Sequence, residues 1–229
     1  RGWTPSRRRP HPSRAVPPAP PIGVPLRRGT RVLDRAANRS GALAHFGLGD
    51  HRPTLLVTGG SLGAERLNTV FASRVDELRS HGIQVLHISG QGKEFASGST
   101  MTGPVYVVVA YADRMDLAYA AADLVVARAG ANTVCELTAV GLPAVYVPLP
   151  IGNGEQRLNA ADVIAAGGGI LVDDSSLTPR WIDEMLMPLV TDESRLHAMA
   201  DAAANIGERE ADERLADLVV LAASSRGER

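Results

Sequence analysis

The chain has 229 residues, 45% of them hydrophobic, and a formal net charge of −1, which is enough to build one large domain or two small ones. No basic excess points to nucleic acid, no apolar run approaches the roughly 20 residues of a membrane span, and no signal-peptide pattern opens the chain. Cys135 is the only cysteine, so an intramolecular disulfide and a cysteine zinc cluster are excluded and a reducing cytoplasm is the expected compartment. Residues 1–21, "RGWTPSRRRPHPSRAVPPAPP", are basic and proline-rich without hydrophobic periodicity, and are expected to be a disordered or extended tail. From position 22 onward the pattern changes. Apolar runs at 54–58, 84–89, 105–110, 124–127, 144–148 and 169–172 carry little in–out alternation, as parallel strands covered on both faces do. Amphipathic segments separate them; over 66–80, Leu67, Val70, Phe71, Val75 and Leu78 make one apolar stripe. Thr178 before Pro179 reads as an N-cap and first turn opening a helical C-terminal region. The alternation predicts an α/β fold with a doubly wound parallel sheet.

Ligands of such sheets sit beyond the carboxyl ends of the strands, which directs attention to four loops. In "TGGSLGAERLN", Gly59, Gly60 and Gly63 let the backbone turn sharply into a helix, whose free amides and dipole favour an anion, with the Ser61 hydroxyl beside them. A phosphate or diphosphate fits this turn; so does a tight strand-to-helix connection with no ligand. A P-loop is excluded because the only lysine, Lys93, lies in "GQGKEF" and is followed by glutamate. A short-chain dehydrogenase would place its third glycine at Glu65 and its tyrosine at Ser89. In "VVARAGANTVCEL", Gly130 breaks a strand and a helix begins around Ala131, Asn132 and Thr133, giving a second anion site. Glu136, one turn inside, offers two acceptor oxygens for a vicinal diol such as a ribose. Thr133 and Glu136 are also spaced as a capping box, in which both side chains only satisfy backbone amides. In "VPLPIGNGEQRLNA", Glu155, Gln156 and Asn159 occupy one opening helical turn, and amides that donate and accept suit a polyhydroxylated ring; an ordinary solvated turn has the same composition. The loop "VAYADRMDL" has no charged catalytic cluster, but its backbone near Tyr111–Asp113 can read the edge of a flat base. Diphosphate, ribose, sugar hydroxyls and base together describe a nucleotide sugar.

The segments "GVPLRR", "LLVTGGSLGAERLN", "DLVVARAGANTVCELTAVGLPAVYVPLP" and "NGEQRLNA" resemble, in order and spacing, the C-terminal half of the MurG family. These transferases add N-acetylglucosamine to undecaprenyl-linked muramyl-pentapeptide in peptidoglycan synthesis. The resemblance covers residues 22–229 and implies the Rossmann-like C-terminal domain of a GT-B glycosyltransferase, binding UDP-N-acetylglucosamine. By motif it implies Ser61 at the diphosphate, Glu136 at the ribose, Ala131, Asn132 and Thr133 at sugar and phosphate, Gln156 and Asn159 at sugar hydroxyls, Arg27 on the donor side, and the Ala112 backbone at uracil. No metal, no cofactor and no catalytic residue is expected from this half, and a general base would come from the acceptor half. Leu62 and Glu155 depart from the glutamines that many relatives carry. The family's N-terminal glycine loops, "GGTGGH" among them, do not occur, so the acceptor domain for the lipid-linked substrate is expected to be missing. The chain is then expected to bind UDP-N-acetylglucosamine but to turn it over poorly or not at all, at the cytoplasmic face of the plasma membrane. The alternative is a non-catalytic donor-binding subunit of a split transferase. A nucleotide-sugar epimerase would need further acid–base groups in the cleft, and none stands out. The last segment, with Leu215, Leu218 and Val219 on one stripe, resembles the tail that returns to the first domain; unpartnered, it is expected to favour self-association or fraying.

Overall fold

The structure is a computed structural model and describes residues 23–60, 64–97 and 102–224; the predicted tail at 1–21 lies outside them. Six strands form one sheet: β1 Thr54–Thr58, β2 Gln84–Ile88, β3 Tyr106–Val109, β4 Leu124–Ala127, β5 Ala144–Tyr146 and β6 Gly169–Leu171. All pairings are parallel and the spatial order is β3-β2-β1-β4-β5-β6. The predicted runs thus become strands in chain order, trimmed by a residue or two where flanking loops leave the ladder. Register places Thr58 beside Ile88 on one side and Ala127 on the other. β1 is therefore central, and the order reverses between it and β4.

Both faces are covered, which is why the strands read as unbroken apolar runs. Leu55 and Val57 of β1 point into one core with Leu67, Phe71 and Leu78, whereas Leu56 points into the other with Leu43, Tyr119 and Leu137. The helices are α1 Arg28–Arg31, α2 Arg35–Phe46, α3 Glu65–Ala72, α4 Val75–Ser80, α5 Met115–Ala121 and α6 Ala131–Ala139. They are followed by α7 Glu155–Asn159, α8 Ala161–Ala165 and α9 Pro179–Trp181. A π-helical turn, Ile182–Leu186, leads from there into α10 Met187–Val190, and α11 Glu193–Ile206 and α12 Ala211–Ser224 follow. Local chemistry sets several ends. Asp34 caps α2 by accepting from the Ala37 amide at 3.0 Å, and Gly47 closes it in the left-handed conformation at φ 68°. Thr178 caps α9 with Pro179 in the first turn, as its sequence predicts.

The stripe over 66–80 is buried as expected, but on two helices rather than one. The Ser73 hydroxyl donates to the Val70 carbonyl at 2.7 Å, and Arg74 leaves helical geometry at φ −126° to pair with Glu77 and Asp183. At Gly207 an added Cβ would stand 2.3 Å from the Thr138 carbonyl oxygen, so only glycine lets the end of α11 approach the end of α6.

A polar chain crosses the core at β2. Tyr106 donates to Nδ1 of His87 at 2.7 Å, His87 Nε2 faces the Asn68 carbonyl oxygen at 3.0 Å, and the Asn68 amide donates to the Ser89 carbonyl at 2.9 Å. Burial keeps the imidazole neutral, lowering the His87 pKa to about 3, and the Asn68 oxygen places its proton on Nε2. Because the folded value lies below the unfolded one of about 6.5, the neutral ring stabilises the fold above pH ~6.5. That contribution falls as pH drops from there toward the folded value. We expect His87→Gln, which keeps a donor and an acceptor but does not titrate, to flatten the pH dependence by up to about 1.4 kcal/mol per pH unit. Urea unfolding of both proteins at pH 7 and pH 5 measures it; equal slopes would contradict this role for the ring.

Candidate functional site

The carboxyl ends of β1 and β4 diverge where the strand order reverses, and a cavity of about 340 Å³ opens there. Arg27, Gly60, Ala112, Asn132, Thr133 and Glu136 line it, six positions singled out from sequence and brought together from four separate segments. Thr58, Ile88, Tyr111, Met115 and Tyr119 also line it, with the segment Val24–Leu26 leading up to Arg27. A larger hollow of about 730 Å³ lies at the opposite end, where the strands begin. It lies away from the carboxyl ends where ligands of such sheets bind, and two of its arginines are committed: Arg35 donates to the carbonyls of Tyr119, Ala122 and Gly141, and Arg39 to the Ala121 carbonyl and the Asp123 carboxylate. The smaller cleft is therefore the candidate site.

Its floor is the start of α6. Gly130 is the N-cap at φ −65°, and no side chain caps the helix. Its first amides therefore remain available to an anion, and the helix dipole favours one. The capping box does not form, because the helix starts at Ala131 and puts Thr133 in its third position rather than at its cap. Glu136 instead accepts from the Tyr119 hydroxyl at 2.7 Å, its carboxylate on the cleft wall. Burial, reinforced by the charge of Glu136, pushes the Tyr119 phenol well above its ordinary value, so it stays protonated and donates. Cys135 is a half-buried thiol pushed upward by burial, with Glu136 adding to the shift.

At the β1 loop, Gly60 adopts φ 82° and its amide donates to the Thr58 hydroxyl at 3.3 Å; Gly59 precedes it, while Ser61 and Gly63 lie outside the described residues. Gln156 and Asn159 do not line the 340 Å³ cavity. The Gln156 carbonyl oxygen accepts from the Leu149 amide at 2.9 Å, closing the loop after β5. The Asn159 amide donates to the Ala129 carbonyl at 3.1 Å, steadying the residue before the α6 cap. Each therefore has one polar end committed to backbone and one left over. Among the described residues, no three His, Cys, Asp or Glu side chains converge as a metal site would require.

Two features escaped the sequence reading. Tyr119 sits in an alanine-rich helix, and its one signal is that a tyrosine buried there needs a partner for its hydroxyl. The other is an ion cluster joining α3 to the segments after β4, β5 and β6. Arg128, just past β4, donates to the carbonyls of Val147 and Pro148 after β5, each at 3.2 Å, and pairs with Asp174 after β6 at 2.5 Å. Arg66 of α3 in turn donates to the carbonyls of Asp174, Ser175 and Leu177. These partners are 19 to 111 residues apart in sequence, so no local pattern announces them.

Comparison with known proteins follows the same outline. The glycosyltransferase family 28 C-terminal domain profile matches residues 54–215. The UDP-N-acetylglucosamine–N-acetylmuramyl-(pentapeptide) pyrophosphoryl-undecaprenol N-acetylglucosamine transferase of Streptomyces coelicolor is 56% identical over 209 residues, 91% of this chain and 57% of the relative. The like-named protein of a Nocardioides species is 58% identical over 201 residues, 87% of this chain and 55% of the relative. The chain thus spans a little over half the length of the curated relatives it matches. Among solved structures, Acinetobacter baumannii MurG aligns with TM-score 0.70 at 27% identity, over 84% of this chain and 55% of that one. WaaG, a glycosyltransferase involved in lipopolysaccharide biosynthesis, shares the fold at TM-score 0.60 and 18% identity, over 85% of this chain and 54% of that one. The sheet is accordingly the Rossmann-like C-terminal domain of a GT-B glycosyltransferase.

Arg128 and Asp174 have side chains only 12% and 14% exposed, so removing one charge strands the other. Asp174→Ala is expected to cost about 3 kcal/mol, and adding Arg128→Met to recover part of that loss, in denaturant unfolding. Strictly additive losses would show that the pair is not coupled.

Proposed function

The chain belongs to the glycosyltransferase family 28 C-terminal domain family, and from that premise we propose that it is the donor-binding domain of an N-acetylglucosamine transferase. The donor is UDP-N-acetylglucosamine and the acceptor is undecaprenyl-pyrophosphoryl-MurNAc-pentapeptide, as the names of the relatives describe for those proteins. One observation carries the reading: an uncapped helix start and a carboxylate released from any capping role share one wall of the cleft at the strand-order reversal.

In this assignment the α6 amides at Ala131, Asn132 and Thr133 receive the diphosphate, together with the glycine turn Gly59–Gly63 and Ser61. Glu136 accepts from the ribose hydroxyls. The backbone at buried Ala112 meets the uracil, with Ile88 and Met115 beside it, and Arg27 adds positive charge at the mouth. Gln156 and Asn159 turn their uncommitted ends to the sugar. In the reaction an acceptor hydroxyl attacks the anomeric carbon, and the bond from that carbon to the diphosphate oxygen breaks. UDP leaves with the electron pair, and the hydroxyl proton passes to a base outside this domain. The domain's share is to hold the sugar in line and to stabilise charge gathering on the diphosphate. Because the acceptor is a lipid, the working place is a membrane surface, on the cytoplasmic face in this reading; no described helix is long and apolar enough to cross the membrane.

A second reading is a donor-binding subunit completed by a separate acceptor chain; on α12, Leu215 and Val219 lie one turn apart and are 40% and 61% exposed, an apolar stripe suited to docking on another domain of either kind.

Thermal melting tests the donor assignment. UDP-N-acetylglucosamine or UDP at about 100 times its dissociation constant should add roughly 2.7 kcal/mol, a rise of a few degrees. Glu136→Ala should abolish most of that rise, and NAD should produce little. A cooperative melt unmoved by UDP would contradict donor binding by this chain.

A further inference from the structure

The Tyr119–Glu136 pair is held from behind. Tyr119 is 2% exposed, and its hydroxyl reaches Oε2 of Glu136 from α5, across the gap between two helices. Its backbone carbonyl accepts from Arg35 Nε at 3.1 Å, and the same guanidinium donates to the Ala122 carbonyl at 2.5 Å and the Gly141 carbonyl at 2.9 Å. Ala122 ends α5 and Gly141 lies just beyond α6, so one arginine clamps together the far ends of the helices whose side chains meet in the cleft. A guanidinium can do this because its five donors spread in one plane.

A glutamate held by nothing but its helix samples several rotamers, each turning the carboxylate plane in another direction. Accepting from two adjacent hydroxyls requires one plane and both oxygens. A rigid phenol bonded to Oε2 selects that plane and still leaves lone pairs on both oxygens. We propose that Tyr119 is a positioning residue of the nucleoside site: by fixing the Glu136 carboxylate it sets the preference for ribonucleoside over 2′-deoxyribonucleoside diphosphates. The proposal rests on the assignment of Glu136 to the ribose. Losing the phenol frees the carboxylate to rotate, and the loss falls on the ligand that carries both hydroxyls.

Isothermal titration of UDP and 2′-deoxy-UDP against wild type, Tyr119→Phe, Glu136→Ala and the double variant tests it. Wild type should prefer UDP by about 10- to 100-fold, the range of one or two hydrogen bonds to a charged group. Tyr119→Phe should cut that preference about 3- to 10-fold while leaving 2′-deoxy-UDP within about twofold of wild type. Glu136→Ala should abolish the preference, and the double variant should match Glu136→Ala, because the tyrosine acts only through the carboxylate. Partial loss of folded protein lowers both affinities together and leaves their ratio alone, so the ratio separates positioning from mere structural support. Equal weakening of both nucleotides by Tyr119→Phe, with Glu136→Ala still abolishing the preference, would overturn the role of Tyr119 and keep that of Glu136. A preference that survives Glu136→Ala, or wild type binding neither nucleotide, would overturn both.

Discussion

The site depends on one topological constraint: after laying β2 and β3 on one side of β1, the chain must come back and lay β4 on the other. The connections leaving β1 and β4 then diverge to opposite faces of the sheet, and among the described residues no helix fills the gap between them. Glycine-rich turns stand at both lips. The absence of a side chain at Gly59, Gly60 and Gly130 leaves the backbone open to whatever enters. The parallel sheet beneath is buried on both faces, so its β1 and β4 lips are fixed by core packing at Leu55, Leu56, Val125 and Val126, not by contacts within the loops themselves.

Arginine does the remaining tying. The chain has one lysine, Lys93, and the arginines that matter most act on backbone carbonyls rather than at the surface. Arg35 holds the ends of α5 and α6. Arg209 donates to the carbonyls of Ala139 at the end of α6, of Arg31 at the end of α1 and of Leu33 just beyond it, while Arg66 and Arg128 join α3 to the segments after β4, β5 and β6. Helix C-termini leave carbonyls without partners, and a planar fork with several donors can satisfy two or three at once where an ammonium on a flexible stem cannot fix the same geometry. The cleft is in this sense prepared from its far side.

Much of the cleft was legible in the sequence because its signals are local. An unalternating apolar run followed by glycine and a helix marks a strand, its carboxyl end and a helix start within about a dozen residues, and the runs at 54–58 and 124–127 became β1 and β4 without adjustment. What stayed hidden is what depends on pairs distant in sequence. The Tyr119 hydroxyl finds Glu136 only once α5 and α6 are packed, and Arg128 finds Asp174 only once β6 is in place. Local reading also misled once. Thr133 and Glu136 have capping-box spacing, yet Gly130, with its extended ψ of 146°, starts the helix three residues earlier and frees both side chains. The Ser73–Arg74 break was equally invisible, since the apolar stripe continues through it.

The measurement that most directly tests this account is a crystal structure of the chain with UDP bound. The account predicts both ribose hydroxyls on Glu136, with Tyr119 still bonded to Oε2, and the diphosphate against the first amides of α6. Nucleotide seated in the larger hollow at the other end of the sheet, or in the cleft with its ribose turned away from Glu136, would contradict it.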